Sequence, residues 1–276
     1  MTSSRHNLRR WFSGLLLLSA AVAVAQAQQG FRGSWRGEPL HEGVPDVRGG
    51  FSFCRLTYTR VRVEGGGQGW RTDYPNADNN FMTRLTQLTA APVNRWDNGD
   101  LGFTVVSATD PALFQCPFLF ASDIGSGAFS DVEAQRLREY LLKGGFLWVD
   151  DFWGDAAWRQ WLGEIKLILP EYSVVDLTLD HPMFSVFYQV KEIPQIPSIQ
   201  FWRRNGGGTS ERGYESATPE MRAIFDDHGR MIVLMSHDTD IADGWERETE
   251  DEDFFYAFTA RAYGVGINVA LWSMSH

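Results

Sequence analysis

The feature that most constrains the fold is a short unit in the middle of the chain. Residues 117–121 predict a strand, and Ser130-Asp131-Val132-Glu133 forms a capping box that begins a helix. Gly144-Gly145 ends that helix, and Phe146-Leu147-Trp148-Val149 is a continuous apolar run typical of a strand covered on both faces. Strand, helix and strand in close succession form a βαβ unit, which requires a right-handed crossover and a parallel sheet.

The rest of the chain adds elements that fit an α/β domain. Apolar periodicity predicts strands over 51–63 and 102–108, helices over 76–89, 153–162 and 254–272, and a hairpin between strands 223–227 and 231–236. Residues 170–222 are rich in Pro and Gly and predict irregular structure with one or two strands. Because no internal repeat or linker interrupts the sequence, we predict a single α/β domain over residues 51–276.

The first residues have the pattern of an export signal. A basic start is followed by the apolar stretch 15–25, and Ala25-Gln26-Ala27 fits the small-x-small cleavage pattern. We therefore predict a signal peptide over 1–27 and a flexible lead-in over 28–50, with an uncleaved anchor or a buried helix as the alternatives. The protein is then expected to be periplasmic or secreted, with no membrane span in the mature chain.

Charge and cysteine content narrow the possible partners. The net charge of −10 argues against nucleic acid, which needs clustered Lys and Arg. Two cysteines cannot build a disulfide-dense scaffold. Cys54 and Cys116 lie in or beside predicted strands, where bridging geometry is restrictive, so a disulfide and two buried free thiols both stay open.

Two adjacent aspartates, Asp150 and Asp151, directly follow the apolar run. In open α/β sheets, ligands bind beyond the carboxyl ends of the strands, which makes this pair the first candidate site. Two carboxylates there can hold a cation, bind sugar hydroxyls or divide acid–base roles. The alternative is that one aspartate caps the next helix and the other is solvated.

Two further segments carry candidate ligand groups. His237, Asp238 and Asp243 lie after the second strand of the predicted hairpin, in a sequence that resembles a partial cation loop, and Trp245 adds aromatic surface. Asp73 and Asp78 lie in the segment 70–78, where an aromatic side chain can stack on a sugar face and the carboxylates can bind its hydroxyls, although a turn with Asn76 as helix cap explains the same residues.

Known nucleophile motifs are missing from the sequence. It contains no G-x-S-x-G and no H-E-x-x-H, and neither cysteine lies at a strand-to-helix elbow beside an evident histidine. Hydrolysis by a familiar triad is therefore not expected. We assign no residue as a metal ligand and expect no cofactor.

Several segments together resemble the bacterial domain-of-unknown-function family 4159. They are FCRLTY, WRTDYPNADNN, CPFLFAS, LREYLLKGGFLWVDDFWG and AYGVGINVALW, and the resemblance covers residues 51–273. The family is similar to the class I glutamine amidotransferase-like fold, including ThuA-like proteins. The resemblance thus implies a flavodoxin-like three-layer sandwich with a mainly parallel sheet.

The sequence departs from amidotransferases at the position of their nucleophile. Those enzymes place a cysteine on the elbow after the strand that corresponds to 146–149, where this chain has Asp150-Asp151-Phe152. Glutaminase chemistry is therefore not implied. The resemblance transfers only the position of a pocket, at Asp150 and Asp151 with Asp73 and Asp78 as neighbours.

These observations favour an exported, non-catalytic binding or interaction module with an acidic, aromatic-lined pocket at the strand ends. Its expected partners are a glycan, a cation or an envelope protein. The alternative is a carbohydrate-processing hydrolase that uses paired carboxylates, and a purely structural envelope component is the third hypothesis.

Overall fold

A computed structural model describes Pro45 and residues 49–276. The predicted signal peptide, 1–27, and all but a few residues of the predicted lead-in, 28–50, lie outside the described residues. The described residues form an α/β unit around a mainly parallel sheet of seven strands.

The strands and helices of the described residues are as follows. The strands are β1 (Phe53–Thr57), β2 (Thr59–Arg60), β3 (Phe103–Ser107), β4 (Phe118–Ala121), β5 (Gly127–Ala128), β6 (Phe146–Phe152), β7 (Val175–Asp176), β8 (Glu220–Phe225) and β9 (Met231–His237). The helices are α1 (Asn76–Leu88), α2 (Asp131–Leu142), α3 (Gly154–Ile168), α4 (Ile199–Arg204), α5 (Asp243–Glu246), α6 (Glu252–Phe254) and α7 (Ala260–Ser275). A π-helical turn, Phe255–Thr259, joins α6 to α7. No described helix has the length and apolar character needed to cross a membrane.

The main sheet has the strand order β3-β1-β4-β6-β9-β8-β7. The first five of these strands are parallel to one another. Strand β8 pairs antiparallel with both β9 and β7. The predicted parallel sheet and the predicted hairpin are therefore both confirmed. All five parallel strands end at the same edge of the sheet, which brings their following loops together.

Residues along the central strands alternate between two hydrophobic cores. In β4, Phe118 and Phe120 belong to one core, and Leu119 and Ala121 belong to the other. The first core also includes residues of α1 and α7, and the second includes residues of α2 and α3. Because both faces are covered, the central strands are apolar runs rather than polar–apolar alternations.

The predicted start and end of α2 are confirmed. Ser130 and Glu133 form the capping box, and Gly144 follows the helix with a φ of +112°. A residue with a Cβ is strained in that conformation, so the Gly-Gly pair ends the helix as the sequence predicts.

Three boundaries differ from the prediction. The first strand ends at Thr57, because the chain leaves the main sheet there and Thr59–Arg60 pairs with β5 in a separate two-stranded sheet. Helix α3 continues to Ile168. Strand β6 includes both candidate aspartates and ends at Phe152, so the two acids do not follow the strand but form part of it.

Cys54 and Cys116 form a disulfide, so the free-thiol interpretation is wrong. Cys54 lies in β1 and Cys116 lies just before β4, as the prediction of positions in or beside strands requires. Cys116 ends a 3₁₀ helix, Pro111–Gln115, just before β4, and this position brings its Cα to 6.0 Å from that of Cys54. That separation is within the range that a disulfide can span.

The disulfide is expected to stabilise the fold considerably, because it joins positions 62 residues apart. A loop of that length corresponds to about 4 kcal/mol of unfolded-state entropy. We expect the Cys54→Ala/Cys116→Ala double variant to lose about 3–5 kcal/mol of unfolding free energy in urea denaturation. A loss below about 1 kcal/mol would contradict this account.

Candidate functional site

Four aspartates at the carboxyl edge of the sheet have left-handed backbone conformations. Asp73, Asp123, Asp151 and Asp238 have φ values of 65°, 51°, 54° and 59°, and they are the non-glycine residues with positive φ in the described part of the chain. Such conformations are uncommon for residues with a Cβ and concentrate at functional sites. Their shared location makes this edge the candidate site.

The sheet itself explains two of these conformations. Asp151 lies where the β6–β9 register shifts, between Val149 and Phe152, so the strand bulges at this residue. Asp238 directly follows β9, and its N–H donates to the carbonyl oxygen of Phe152 at 3.0 Å. The bulge and the turn thus lie side by side on neighbouring strands.

Three buried carboxylates converge at this edge: Asp73, Asp240 and Asp243, here termed the acid cluster. Each contributes an oxygen to a set whose members all lie within 4.8 Å of one another. Asp73 accepts a hydrogen bond from Ser122 Oγ at 3.0 Å. Asp240 accepts one from the N–H of Asp243 at 2.8 Å. Asp243 accepts one from the N–H of Ile199 at 3.0 Å. These bonds fix the orientation of all three carboxylates.

The loop after β9 is held in place by hydrogen bonds to its backbone and side chains. The N–H of Asp240 donates to the carbonyl oxygen of Ile196 at 2.8 Å. Thr239 Oγ1 donates to the carbonyl oxygen of Pro194 at 2.7 Å, and the N–H of Ala242 donates to Asp150 Oδ2 at 3.0 Å. The positions of Asp240 and Asp243 are therefore fixed by the fold before any ligand binds.

Burial and mutual repulsion disfavour the charged forms of these acids. Burial raises the pKa of Asp240 well above its usual value, and the charges of Asp151 and Asp73 raise it further. The pKa of Asp243 is raised in the same way by burial, then by Asp73 and Glu246. Arg247 offsets only part of this, since it lies 2.8 Å from Glu246 and 3.5 Å from Asp243. The charges of Arg55 and Arg247 likewise offset only part of the effect on Asp73, so these carboxyls keep their protons to higher pH than exposed aspartates do, and a bound cation would replace those protons.

Asp150 is part of the hydrogen-bond network inside the sheet. Its carboxylate accepts hydrogen bonds from Ser236 Oγ and from the N–H of Ala242. Ser236 in turn accepts one from Trp148 Nε1 at 2.8 Å. Burial raises the pKa of Asp150 to about 7. Because both carboxylate oxygens have donors within the protein, Asp150 supports the β9 loop instead of facing a ligand.

Asp151 is surrounded by other acids, whose charges act on its carboxyl group. Its Oδ1 accepts a hydrogen bond from Trp153 Nε1 at 3.0 Å. Burial raises its pKa well above the usual value, followed by the charges of Asp73 and Asp123. Neither aspartate of the pair caps α3, because the N–H of Gly154 donates to Asp238 Oδ1 at 2.7 Å. The capping alternative is therefore wrong for Asp150 and Asp151, and Asp238 accepts the first N–H of α3 instead.

Asp78 is the partner of a buried arginine. The Arg55 guanidinium donates to both oxygens of Asp78 and to the carbonyl oxygen of Thr72 at 2.8 Å. Asp78 and Arg55 are both fully buried. Asn76, by contrast, is the first residue of α1 and does not cap it, since Pro75 occupies the cap position. Asp78 therefore holds β1 to α1 and is not free for a ligand.

His237 belongs to a separate group on the β8 side of the edge. Its Nδ1 lies 3.2 Å from Glu220 Oε2 and 3.4 Å from Asp238 Oδ2, which resembles a mixed metal site. However, a guanidinium nitrogen of Arg222 lies 3.3 Å from the same Nδ1, and this guanidinium supplies the positive charge that a metal ion would otherwise supply. We therefore interpret this group as an ion-pair network.

Trp245 does not line the candidate site. Its side chain is fully buried, with ring centroids 4.6 Å from Phe81 and 5.6 Å from Trp148. The sequence places it beside acids, but helix α5 turns the indole into the core. We therefore remove Trp245 from the residues expected to contact a ligand.

Sequence reasoning missed Asp123 as a site residue. It included Asp240 only through the spacings of two and three in the segment that resembles a partial cation loop, and did not select it as a candidate by itself. Asp123 lies just beyond the carboxyl end of the buried strand β4. The rule that ligands bind beyond the carboxyl ends of parallel strands, which selected Asp150 and Asp151, therefore selects Asp123 as well. Both are nearly fully buried in the structure.

Comparison with known families gives one match. The family described as Domain of unknown function (DUF4159) matches residues 53–274. The chain belongs to this family. A search of curated proteins found no match. All residues of the acid cluster lie within the matched part of this DUF4159 chain, so the candidate site is part of the family domain.

Breaking the buried ion pair should destabilise the protein strongly. Asp78→Asn removes the hydrogen-bonded counter-charge of the buried Arg55 guanidinium and leaves only the more weakly interacting Asp73. Breaking a buried pair in this way typically costs about 3–5 kcal/mol. We expect that loss in the unfolding free energy from urea denaturation. Asp97→Asn is a matched control because Asp97 is exposed, and it should change stability by less than about 0.5 kcal/mol. Equal stability of the two variants would refute this role for Asp78.

The raised pKa values predict stability that falls as pH rises. Burial raises the pKa of Asp123 to about 6 and those of Asp150 and Glu246 to about 7. Unfolded carboxyls titrate near pH 4, so the folded state binds more protons than the unfolded chain from about pH 4 to 7. In chelator-containing buffer, the unfolding free energy should be higher at pH 5 than at pH 8. An increase from pH 5 to pH 8 would contradict this prediction.

Proposed function

We propose that this DUF4159 protein is a non-catalytic binding module that holds a divalent cation in the acid cluster. The observation that carries the proposal is the convergence of three buried carboxylate oxygens, from Asp73, Asp240 and Asp243, within 4.8 Å of one another. A hard cation prefers carboxylate oxygens, and its charge would relieve the repulsion between them.

Calcium is the ion we propose first for the acid cluster. It accepts several carboxylate oxygens in a flexible geometry, whereas magnesium demands near-ideal octahedral geometry and keeps most of its waters. Three carboxylates whose oxygens all lie within 4.8 Å of one another offer such a set of oxygen ligands. Three protein carboxylates also leave coordination positions for water or for a ligand.

The position of the acid cluster in the sheet supports this proposal. In chain order, the five parallel strands are arranged 2-1-3-4-5, which is the order of flavodoxin-like sheets. We infer on this basis a flavodoxin-like, class I amidotransferase-like sandwich related to ThuA-like proteins. Ligands of such sheets bind where the strand order reverses, here beside β1 and β4. Asp73 follows β1, and its partner Ser122 follows β4.

We further propose that the protein works outside the cytoplasm. The fully buried Cys54–Cys116 disulfide supports this, because disulfides persist in oxidising compartments. The predicted signal peptide over 1–27 leads to the same proposal. The expected partner is an envelope glycan or protein whose oxygen atoms complete the coordination of the cation.

The carbohydrate-processing alternative assigned the acid role to Asp150. Both oxygens of that carboxylate accept hydrogen bonds inside the protein, from Ser236 and Ala242, so they do not face a substrate. We therefore assign Asp150 no catalytic role, and we do not propose a paired-carboxylate hydrolase.

Removing one carboxylate of the acid cluster should weaken cation binding. Asp240→Asn keeps the side-chain oxygen that accepts the N–H of Asp243 but removes the negative charge. We expect the wild-type protein, freed of metal, to gain thermal stability with Ca²⁺ and to bind it measurably in isothermal titration calorimetry. Asp240→Asn should weaken binding at least about tenfold, as the loss of one charged ligand implies.

The control for this experiment is Asp97→Asn, which removes the same charge from an exposed turn. It should bind Ca²⁺ as the wild-type protein does. Mg²⁺ and Mn²⁺ are tested in parallel to identify the preferred ion. The proposed function fails if none of the three ions raises the melting temperature or produces a binding isotherm.

A further inference from the structure

The acid cluster is closed in this structure. Asp73 is 6% exposed, and Asp240 and Asp243 are each 3% exposed. A ligand that reaches these carboxylates must therefore displace part of the protein. Two loops border this edge of the sheet: the glycine loop, residues 61–69, and the Arg212 loop, residues 205–216.

The glycine loop lies directly on one of the left-handed aspartates. The N–H of Gly69 donates to Asp123 Oδ2 at 2.7 Å. A Cβ at Gly67 would lie 2.3 Å from the same oxygen, so only glycine allows this approach. Asp123 follows β4 immediately after Ser122, the partner of Asp73. The glycine loop thus covers the β1–β4 side of the site.

The Arg212 loop lies against the start of α3. A Cβ at Gly154 would lie 3.1 Å from Glu215 Oε2 and 3.3 Å from the Arg212 side chain. Glu211 also lies close enough to Asp151 to raise its pKa. This loop is therefore in contact with the start of α3 and lies near the strand bulge of β6.

One ion pair joins the two loops. Arg212 Nη2 lies 3.3 Å from Glu64 Oε2 and donates to the carbonyl oxygen of Gly65 at 3.4 Å. The Glu64 side chain is 9% exposed and that of Arg212 is 27% exposed, so the pair is partly shielded from water. Glu64 also pairs with Arg62, which donates to the carbonyl oxygen of Gly125 at 2.9 Å. Glu64 is thus anchored to the protein as well as to the second loop.

We propose that the Arg212–Glu64 ion pair is a latch that controls access to the acid cluster. This inference rests on the proposed function, because it gives the entry route of the cation bound there. The glycine loop is suited to moving away, since Gly66 and Gly69 have φ values of +95° and +69° and carry no side chain that must be repacked. When the latch opens, the two loops separate and the carboxylates become accessible.

The test measures Ca²⁺ exchange kinetics by stopped flow with a fluorescent chelator. Arg212→Met keeps most of the side-chain volume but removes the ion pair, and Glu64→Gln removes it from the other side. Each variant should raise both the association and the dissociation rate constants about fivefold, the factor that corresponds to a partly exposed ion pair. The equilibrium constant should stay within about twofold, because the latch does not touch the bound ion.

Arg138→Met is the matched control. Arg138 forms a comparable ion pair with Glu171, between α2 and the segment after α3. Loss of that pair should leave Ca²⁺ exchange unchanged. Hydrogen exchange of metal-free protein provides a second readout: the amides of residues 61–69 should exchange faster in Arg212→Met and Glu64→Gln than in Arg138→Met.

The possible failures are distinguishable. If the wild-type protein binds Ca²⁺ but both latch variants exchange it at the wild-type rate, the latch is overturned and the proposed function stands. Unchanged hydrogen exchange of residues 61–69 in both variants also overturns the latch, whether or not Ca²⁺ binds. If the wild-type protein binds none of Ca²⁺, Mg²⁺ and Mn²⁺, the proposed function fails and the access role of the latch fails with it; if it binds one of the other two ions, the exchange experiment is run with that ion.

Discussion

Burying carboxylates at one edge of a sheet is the physical constraint on which this structure depends. Each buried acid loses hydration and is repelled by its neighbours, so it must be neutralised, hydrogen bonded or paired. The protein uses all three solutions. Asp78 pairs with Arg55, and Asp150 and Asp238 accept hydrogen bonds that connect strands to loops and helices. In the acid cluster, hydrogen bonds and the nearby charges of Arg55 and Arg247 offset part of the cost of burial and repulsion.

The parallel sheet explains why these acids meet. Strands β1, β4, β6 and β9 are neighbours and end at the same edge, so residues after each strand become adjacent although they are far apart in sequence. Left-handed conformations at four aspartates turn the chain sharply at these positions. Hydrogen bonds of Asp150 and Asp238 to the N–H groups of Ala242 and Gly154 hold the backbone in place near these strained positions. These two aspartates therefore have a structural role at the site.

Local sequence patterns predicted much of the fold. The capping box at Ser130, the Gly-Gly pair after α2 and the hairpin after residue 223 all depend on interactions within a few residues, and each is confirmed. The edge of the sheet that carries the acids was also predictable, because it follows from strand direction alone.

The roles of individual residues at that edge were less predictable, because they depend on contacts distant in sequence. Asp150 has a structural role because it accepts hydrogen bonds from Ser236 and Ala242 and lies next to the strand bulge at Asp151. The residues that flank Asp150 in the sequence indicate neither the bulge nor these donors. Trp245 illustrates a second limit: an aromatic ring has the same sequence signature in a core as in a pocket. The Cys54–Cys116 disulfide likewise required the path of the chain before β4.

The most direct test of the account is a crystal structure of the protein grown with Ca²⁺. The account predicts one ion bound by an oxygen from each of Asp73, Asp240 and Asp243, with protein ligands at about 2.3–2.6 Å and water in the remaining positions. The contradicting result is a well-ordered site without an ion at millimolar Ca²⁺, in which short contacts between the three carboxylates show that they share protons instead.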